Sequence, residues 1–348
     1  MLRALILTSL AVVLLLAQQG SVEGPVSGYV FDSSAQGLRP ILGVPGASLF
    51  GAPVDFGFAI SSAYAAPRQD AAFVVAGDGS LHVFSLNRTT ATEQSVSNLV
   101  KSPQRVLFSP SGTCAAIYAG GSVQVVTGLP NSATVSGGVD LPSGTVPDSL
   151  AVSDDGSVLL VSAGKAVWLY GSSNALGKLM DTAGPAMLAF ASGGHDAAID
   201  DPAGAGVVLF HDLTGAGSSQ VLAAPDDTIS ASSALAFSAD GKSLLLASSK
   251  GQSVTTIDLV AGARNAIACT CSPSTLARMG NMFRLTDLGK EPLWVLDPRS
   301  SAPRIVFVPA LPATGPHRGT VSPEQPGQRG GEGGDRSSSP RTAFIPAQ

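Results

Sequence analysis

Charge is scarce in this chain. Only 13% of its 348 residues are Asp, Glu, Lys or Arg, too few to coat a set of long surface helices. No Lys/Arg cluster occurs and the formal net charge is −5, which excludes a partner held by neutralising nucleic-acid phosphates. Cysteine is nearly absent: Cys114, Cys269 and Cys271 are too few and too unevenly placed for a disulfide framework. Aromatic residues make up 5%. There is no G-x-S-x-G, no H-E-x-x-H, no phosphate-cradling loop and no dinucleotide fingerprint, so the common hydrolase, metalloprotease and nucleotide-binding signatures are missing. The extended uncharged run from Ala4 to Ala17 covers 14 residues, short of the roughly 20 a membrane-spanning helix needs.

What is present begins at that run. Met1-Leu2-Arg3 is a short positive start, the aliphatic stretch follows, and polar Gln18-Gln19-Gly20-Ser21 closes it. Residues 1–20 therefore read as an export signal, cleaved between Ala17 and Gly24, with an uncleaved anchor as the rival. The expected location is periplasmic or extracellular, with no stable membrane span beyond the signal. In an oxidising compartment Cys269-Thr270-Cys271 closes a small bridge; the alternative is a soft-metal pair, for which a third Cys or a His is lacking. Cys114 reads as a buried small hydrophobe.

Glycine is abundant, at 40 residues, and it recurs with a period. Val106-Leu107-Phe108-Ser109-Pro110-Ser111-Gly112, Leu150-Ala151-Val152-Ser153-Asp154-Asp155-Gly156 and Leu235-Ala236-Phe237-Ser238-Ala239-Asp240-Gly241 are each followed by an aliphatic run. A degenerate copy spans Leu188 to Gly194, and weaker turns lie near Asp70 and Gly280. The steps from Asp70 through Gly112, Gly156, Gly194 and Gly241 to Gly280 are 42, 44, 38, 47 and 39 residues. Each copy reads as strand, tight turn, strand, with the turn glycine supplying positive φ. A further strand fills each interval, such as Leu81–Leu86 and Val254–Leu259, and weaker fourth strands follow. Four strands in about 42 residues leave no room for crossover helices.

The expected fold is all-β: a six- or seven-bladed β-propeller of four-stranded antiparallel blades over residues 27–308. Tyr29–Asp32 with Leu38–Leu42 matches Trp294–Asp297 with Pro303–Phe307. The former is expected to form an N-terminal two-stranded piece, an incomplete blade or a closure. The Phe-Ser-x-Asp/Ser-Gly turn with its aliphatic strand, then Val254-Thr255-Thr256-Ile257-Asp258-Leu259, resembles secreted bacterial propellers of the YVTN/lactonase type. The match is close only over Ser238–Leu259, and Ala247-Ser248-Ser249 stands where the YVTN tetrapeptide would be. The resemblance implies a propeller and, as one functional alternative, a lactonase-like hydrolase at the central channel.

Residues 309–348 turn to Pro, Gly, Ser, Arg and Gln, the composition of a disordered tail. Leu311-Pro312-Ala313-Thr314-Gly315 fits a sorting pentapeptide, but neither an apolar span nor a basic end follows; it reads as linker. Ser162-Ala163-Gly164-Lys165 fits S-x-x-K in a strand-connecting turn without companion motifs, and His82, His195, His211 and His317 are scattered. The loops entering the innermost strands hold Asp140, Asp148, Asp181, Asp226 and Asp227, and the loops joining second to third strands hold Asp78, Asp200 and Asp201. In a propeller both sets share one face, so these eight residues are the candidate acidic channel mouth, suited to a divalent cation or cationic ligand. The leading functional expectation is an exported, non-catalytic binding or scaffold module for a protein or glycan partner. The alternatives are the lactonase-like hydrolase and a redox-accessory propeller using Cys269 and Cys271.

Overall fold

The computed structural model describes residues 24–171, 176–215, 217–226, 229, 232–289, 291–298 and 302–310. The export signal, Asp227, His317, the sorting-like pentapeptide and all of the tail beyond residue 310 lie outside the described residues. Twenty-seven strands and no helix occur among the described residues. They form seven antiparallel sheets, each from one contiguous stretch of chain. This resolves the blade number at seven. Six sheets have four strands, and the first has three, formed by Val26–Asp32, Gly37–Val44 and Ala47–Phe50.

The local chemistry of the repeat explains the hairpins. In blade 3 the Ser109 carbonyl accepts the Gly112 N–H at 2.9 Å, while its hydroxyl oxygen accepts the Cys114 N–H at 3.1 Å. Ser153 does the same for Gly156 and Val158, and Ser238 for Gly241 and Ser243. The three glycines have φ of 74°, 73° and 70°, a region a Cβ disfavours. The repeated serine thus fills two backbone bonding needs that the tight turn leaves open.

Packing repeats as faithfully as the turns. Among the described residues there are seven apolar clusters, one for each interface between successive blades. Phe73 and Val83 of blade 2 meet Val106 and Ile117 of blade 3, and Leu209 of blade 5 meets Phe237 and Leu246 of blade 6. The ring closes the same way: Val30, Ile41 and Phe50 of blade 1 pack against Met279, Met282 and Val295 of blade 7. No strand is exchanged between the first and last blades among the described residues, so closure rests on side-chain burial. Deleting a large side chain in such an interface costs roughly 2–5 kcal/mol.

The N-terminal piece is an incomplete blade, with a third strand the sequence did not show. Its first strand faces the axis and does not correspond to the outer pair of blade 7 that it resembles in sequence. The likeness lies in an ion pair across the hairpin, Asp32 with Arg39 and Asp297 with Arg304, and turn capping by a strand-end aspartate recurs elsewhere. Asp32 accepts the N–H groups of Ser34 and Ala35, as Asp258 accepts those of Val260 and Ala261. An aspartate that ends a strand at a turn records the turn, whatever its radial position.

Candidate functional site: the axial cavity

The inner strands are Val26–Asp32, Ile60–Ala65, Arg105–Phe108, Ser149–Val152, Met187–Phe190, Ala234–Phe237 and Ala277–Met279. Each pairs on its outer side only, so seven strand edges turn their backbone N–H and C=O groups toward the axis. Between them lies a cavity of about 660 Å³. That is within the range of small-molecule sites. Its walls include Phe108, Phe190, Phe237, Leu107, Leu188 and Met279. Its charged lining residues are Arg278, Arg284 and Asp287.

The turn end of the cavity is braced across the axis. Arg278 donates from Nε to the Gly280 carbonyl at 2.8 Å and from Nη1 to the Pro110 carbonyl of blade 3 at 3.1 Å. The Gly280 N–H donates to the Pro67 carbonyl of blade 2 at 2.6 Å. Both bonds pass over blade 1, whose Tyr29 N–H is held by the Gln69 side chain. Gln69 itself has φ of 65°, standing where the stronger repeats place glycine. Burial presses Arg278 below the usual arginine pKa, with the nearby Asp154 acting in the opposite sense; the guanidinium stays cationic. Arg284, by contrast, is paired with Asp287 at 2.5 Å.

None of the candidate acidic residues lines this cavity among the described residues. Asp78 accepts the backbone and hydroxyl of Ser80. Asp148 accepts the Gly164 N–H, Asp181 binds Lys178, and Asp226 binds Arg264. Asp140 ends the outer strand Thr134–Asp140 and is exposed. Asp200 and Asp201 are buried at the end of Ala197–Asp201. Asp201 accepts the N–H groups of Ala183 and Ala205. Asp200 Oδ2 accepts the Ser232 hydroxyl at 2.5 Å, while Oδ1 has no partner. Burial pushes the Asp200 pKa up to about 6 despite that hydrogen bond, and Asp201 adds to the rise. Among the described residues no three His, Cys, Asp or Glu converge as a metal site.

Two features escaped the sequence reading. Arg278 sits in the weakest repeat, where only Gly280 and Asn281 separate the strands, so no register flagged it. The other is a chain on blade 2: His82 Nδ1 lies 2.6 Å from Glu93 Oε1, and His82 Nε2 lies 2.8 Å from Ser80 Oγ. This is the spacing of a nucleophile, base and orienting acid. The Ser80 hydroxyl, however, also donates to Asp78 at 2.7 Å. The adjacent Ser80 and Gly79 N–H groups are already bonded to Asp78 and Ala76, leaving neither for an oxyanion. Ser80 and His82 alternate along Leu81–Asn87 and its approach, a period-2 signal that was legible. Of Ser162–Lys165, Ser162 and Ala163 end the second strand of blade 4 and Gly164-Lys165 form the turn to the third, and Lys165 lines no part of the cavity.

The cysteines resolve the open alternatives. Cys269 and Cys271 form a disulfide. Cys114 is free and buried, and its burial pushes the thiol pKa up to about 11.

No protein-family pattern matches the chain, and no curated protein matches it. Solved structures do. A periplasmic gluconolactonase from Pseudomonas aeruginosa is similar over 82% of this chain and 96% of its own, at 18% identity and a TM-score of 0.55. A Bacteroides fragilis protein named, provisionally, as a 6-phosphogluconolactonase covers 82% and 94% at 15% identity and TM-score 0.56. Hydrazine synthase from Kuenenia stuttgartiensis covers 83% and 98% at 13% identity and TM-score 0.50. At these identities the likeness is one of fold: this chain shares the propeller architecture of the lactonase-like structures.

Proposed function

We propose that the chain is an exported binding propeller that takes a small organic ligand in its axial cavity. The observation that carries this reading is the wall of the cavity: apolar side chains, free strand edges and a few charges, in a volume of about 660 Å³. Such a mixture favours burial of a ligand body with a small number of orienting polar contacts. Export is supported by the sequence of residues 1–20, by the Cys269–Cys271 disulfide and by the periplasmic neighbour. A neutral apolar fluorophore, N-phenylnaphthylamine, tests the chamber. One molecule is expected to bind per chain, and Ala236→Trp, which fills the cavity wall, is expected to remove at least about tenfold of the affinity while the melting curve stays cooperative. Binding unchanged in Ala236→Trp, or no binding to the parent chain, would sink the reading.

A second reading is hydrolysis of a lactone, favoured by the names of two structural neighbours and by the Ser80–His82–Glu93 spacing. Acid release from gluconolactone and simple esters is the measurement. Turnover abolished by Ser80→Ala would support it, and no turnover above the uncatalysed rate would retire it.

A further inference from the structure

Most arginines placed by the structure have a carboxylate partner. Arg39 binds Asp32, Arg68 binds Asp70, Arg264 binds Asp226, Arg284 binds Asp287 and Arg304 binds Asp297. Arg278 is different. It is half-buried, lines the axial cavity and bonds two backbone carbonyls only. A guanidinium has five N–H donors, and no protein partner takes the remainder among the described residues. A cation drawn half out of water and bonded only to neutral carbonyls has donors left open, and an anion arriving beside it fills them with charge-assisted bonds.

The surroundings select the sign. Asp287 is committed to Arg284. Asp154, the carboxylate whose field reaches Arg278, is filled by the Ser111 N–H, the Ser192 hydroxyl and the Gly193 N–H. The cavity thus carries two arginines and one aspartate in a chain whose formal net charge is −5. Beyond the guanidinium the walls mix Phe108, Phe190, Phe237 and aliphatic residues with hydroxyls such as those of Ser62 and Ser238, and the apolar part rewards an apolar body.

Building on the chamber reading above, we infer that the ligand is an amphipathic anion: its carboxylate or sulfonate head is held by Arg278 at the turn end, and its apolar body lies along the inner strands. The neutral N-phenylnaphthylamine and its anionic counterpart, anilinonaphthalene sulfonate, share an aromatic body and differ by the anionic group. The sulfonate is expected to bind the parent chain about tenfold more tightly than the neutral dye, as one charge-assisted contact provides. Arg278→Met is expected to erase that preference, read as the ratio of the two dyes' affinities for the same variant, and Arg278→Lys to keep part of it. Raising ionic strength on the parent chain is expected to weaken the sulfonate and spare the neutral dye, a readout that stands even where Arg278→Met unfolds. Equal binding of both dyes to the parent chain, or a preference surviving in Arg278→Met, would overturn the anion assignment and leave the chamber intact. Loss of the neutral dye from the parent chain would overturn the chamber itself.

Discussion

Two consecutive aspartate pairs sit at opposite ends of neighbouring blades, and they behave in opposite ways. Asp154-Asp155 occupies the tight turn of blade 4, where donors surround both carboxylates. Burial works against the charge, but bonds from Ser111 and Gly193 to Asp154, and from Ser153, Ser157 and His195 to Asp155, outweigh it and hold both below the ordinary carboxylate pKa. Asp200-Asp201 closes the second strand of blade 5. There Asp201 collects two backbone N–H partners, Ala183 and Ala205, and Asp200 is left with Ser232 and a bare Oδ1. The same dipeptide is a pair of stable anions in one place and includes a readily protonated acid in the other. The difference is made by how many donors reach each oxygen.

The sharpest way to break that comparison is Asp200→Asn. A carboxyl raised in the fold from 3.8 to about 6 contributes stability that is full below about pH 4 and lost as pH rises through about 6. The neutral variant escapes that loss. It is expected to be more stable than the parent by about 3 kcal/mol above pH ~7, and to show no advantage below pH ~4. Denaturant titrations at both pH values measure it, and a variant less stable than the parent at high pH would contradict the buried-acid reading. Next in size is Asp201→Ala, which strips the carboxylate from two backbone donors; a loss of about 2 kcal/mol is expected, with local hydrogen exchange rising at Ala183 and Ala205. The smallest effect belongs to Asp154→Ala. Its bonds join the turns of blades 3, 4 and 5, but the group is half-exposed, and solvent screening reduces the expected cost to about 1 kcal/mol. Because the Asp154 and Asp155 pKa values are depressed, their contribution is present above about pH 4 and disappears as pH falls, the reverse of Asp200. Stability differences between parent and variant that changed with pH in the same direction for Asp154→Ala and Asp200→Asn would refute the contrast.

Much of the architecture was legible because the repeat is written twice, in turn chemistry and in apolar runs. Phe237-Ser238 with Gly241 states a hairpin as plainly as the hydrogen bonds that Ser238 makes. The N-terminal piece was harder, because Asp32 advertises a turn and not a radius. For the candidate channel-mouth aspartates, loop membership says nothing about the local donors that bind Asp78, Asp181 or Asp226 to their own partners. Arg278 was hidden because its partner carbonyl, Pro110, is 168 residues away.

Sequence alone determined the strand alternation, the tight turns and hence a ring of small sheets, since these depend on neighbours within a few residues. Only the tertiary structure decided that the ring has seven members and that its axis is hollow. It also decided which charges line it. Those outcomes depend on distances between groups remote along the chain, and a repeat that is locally satisfied leaves such distances free until all its copies pack together.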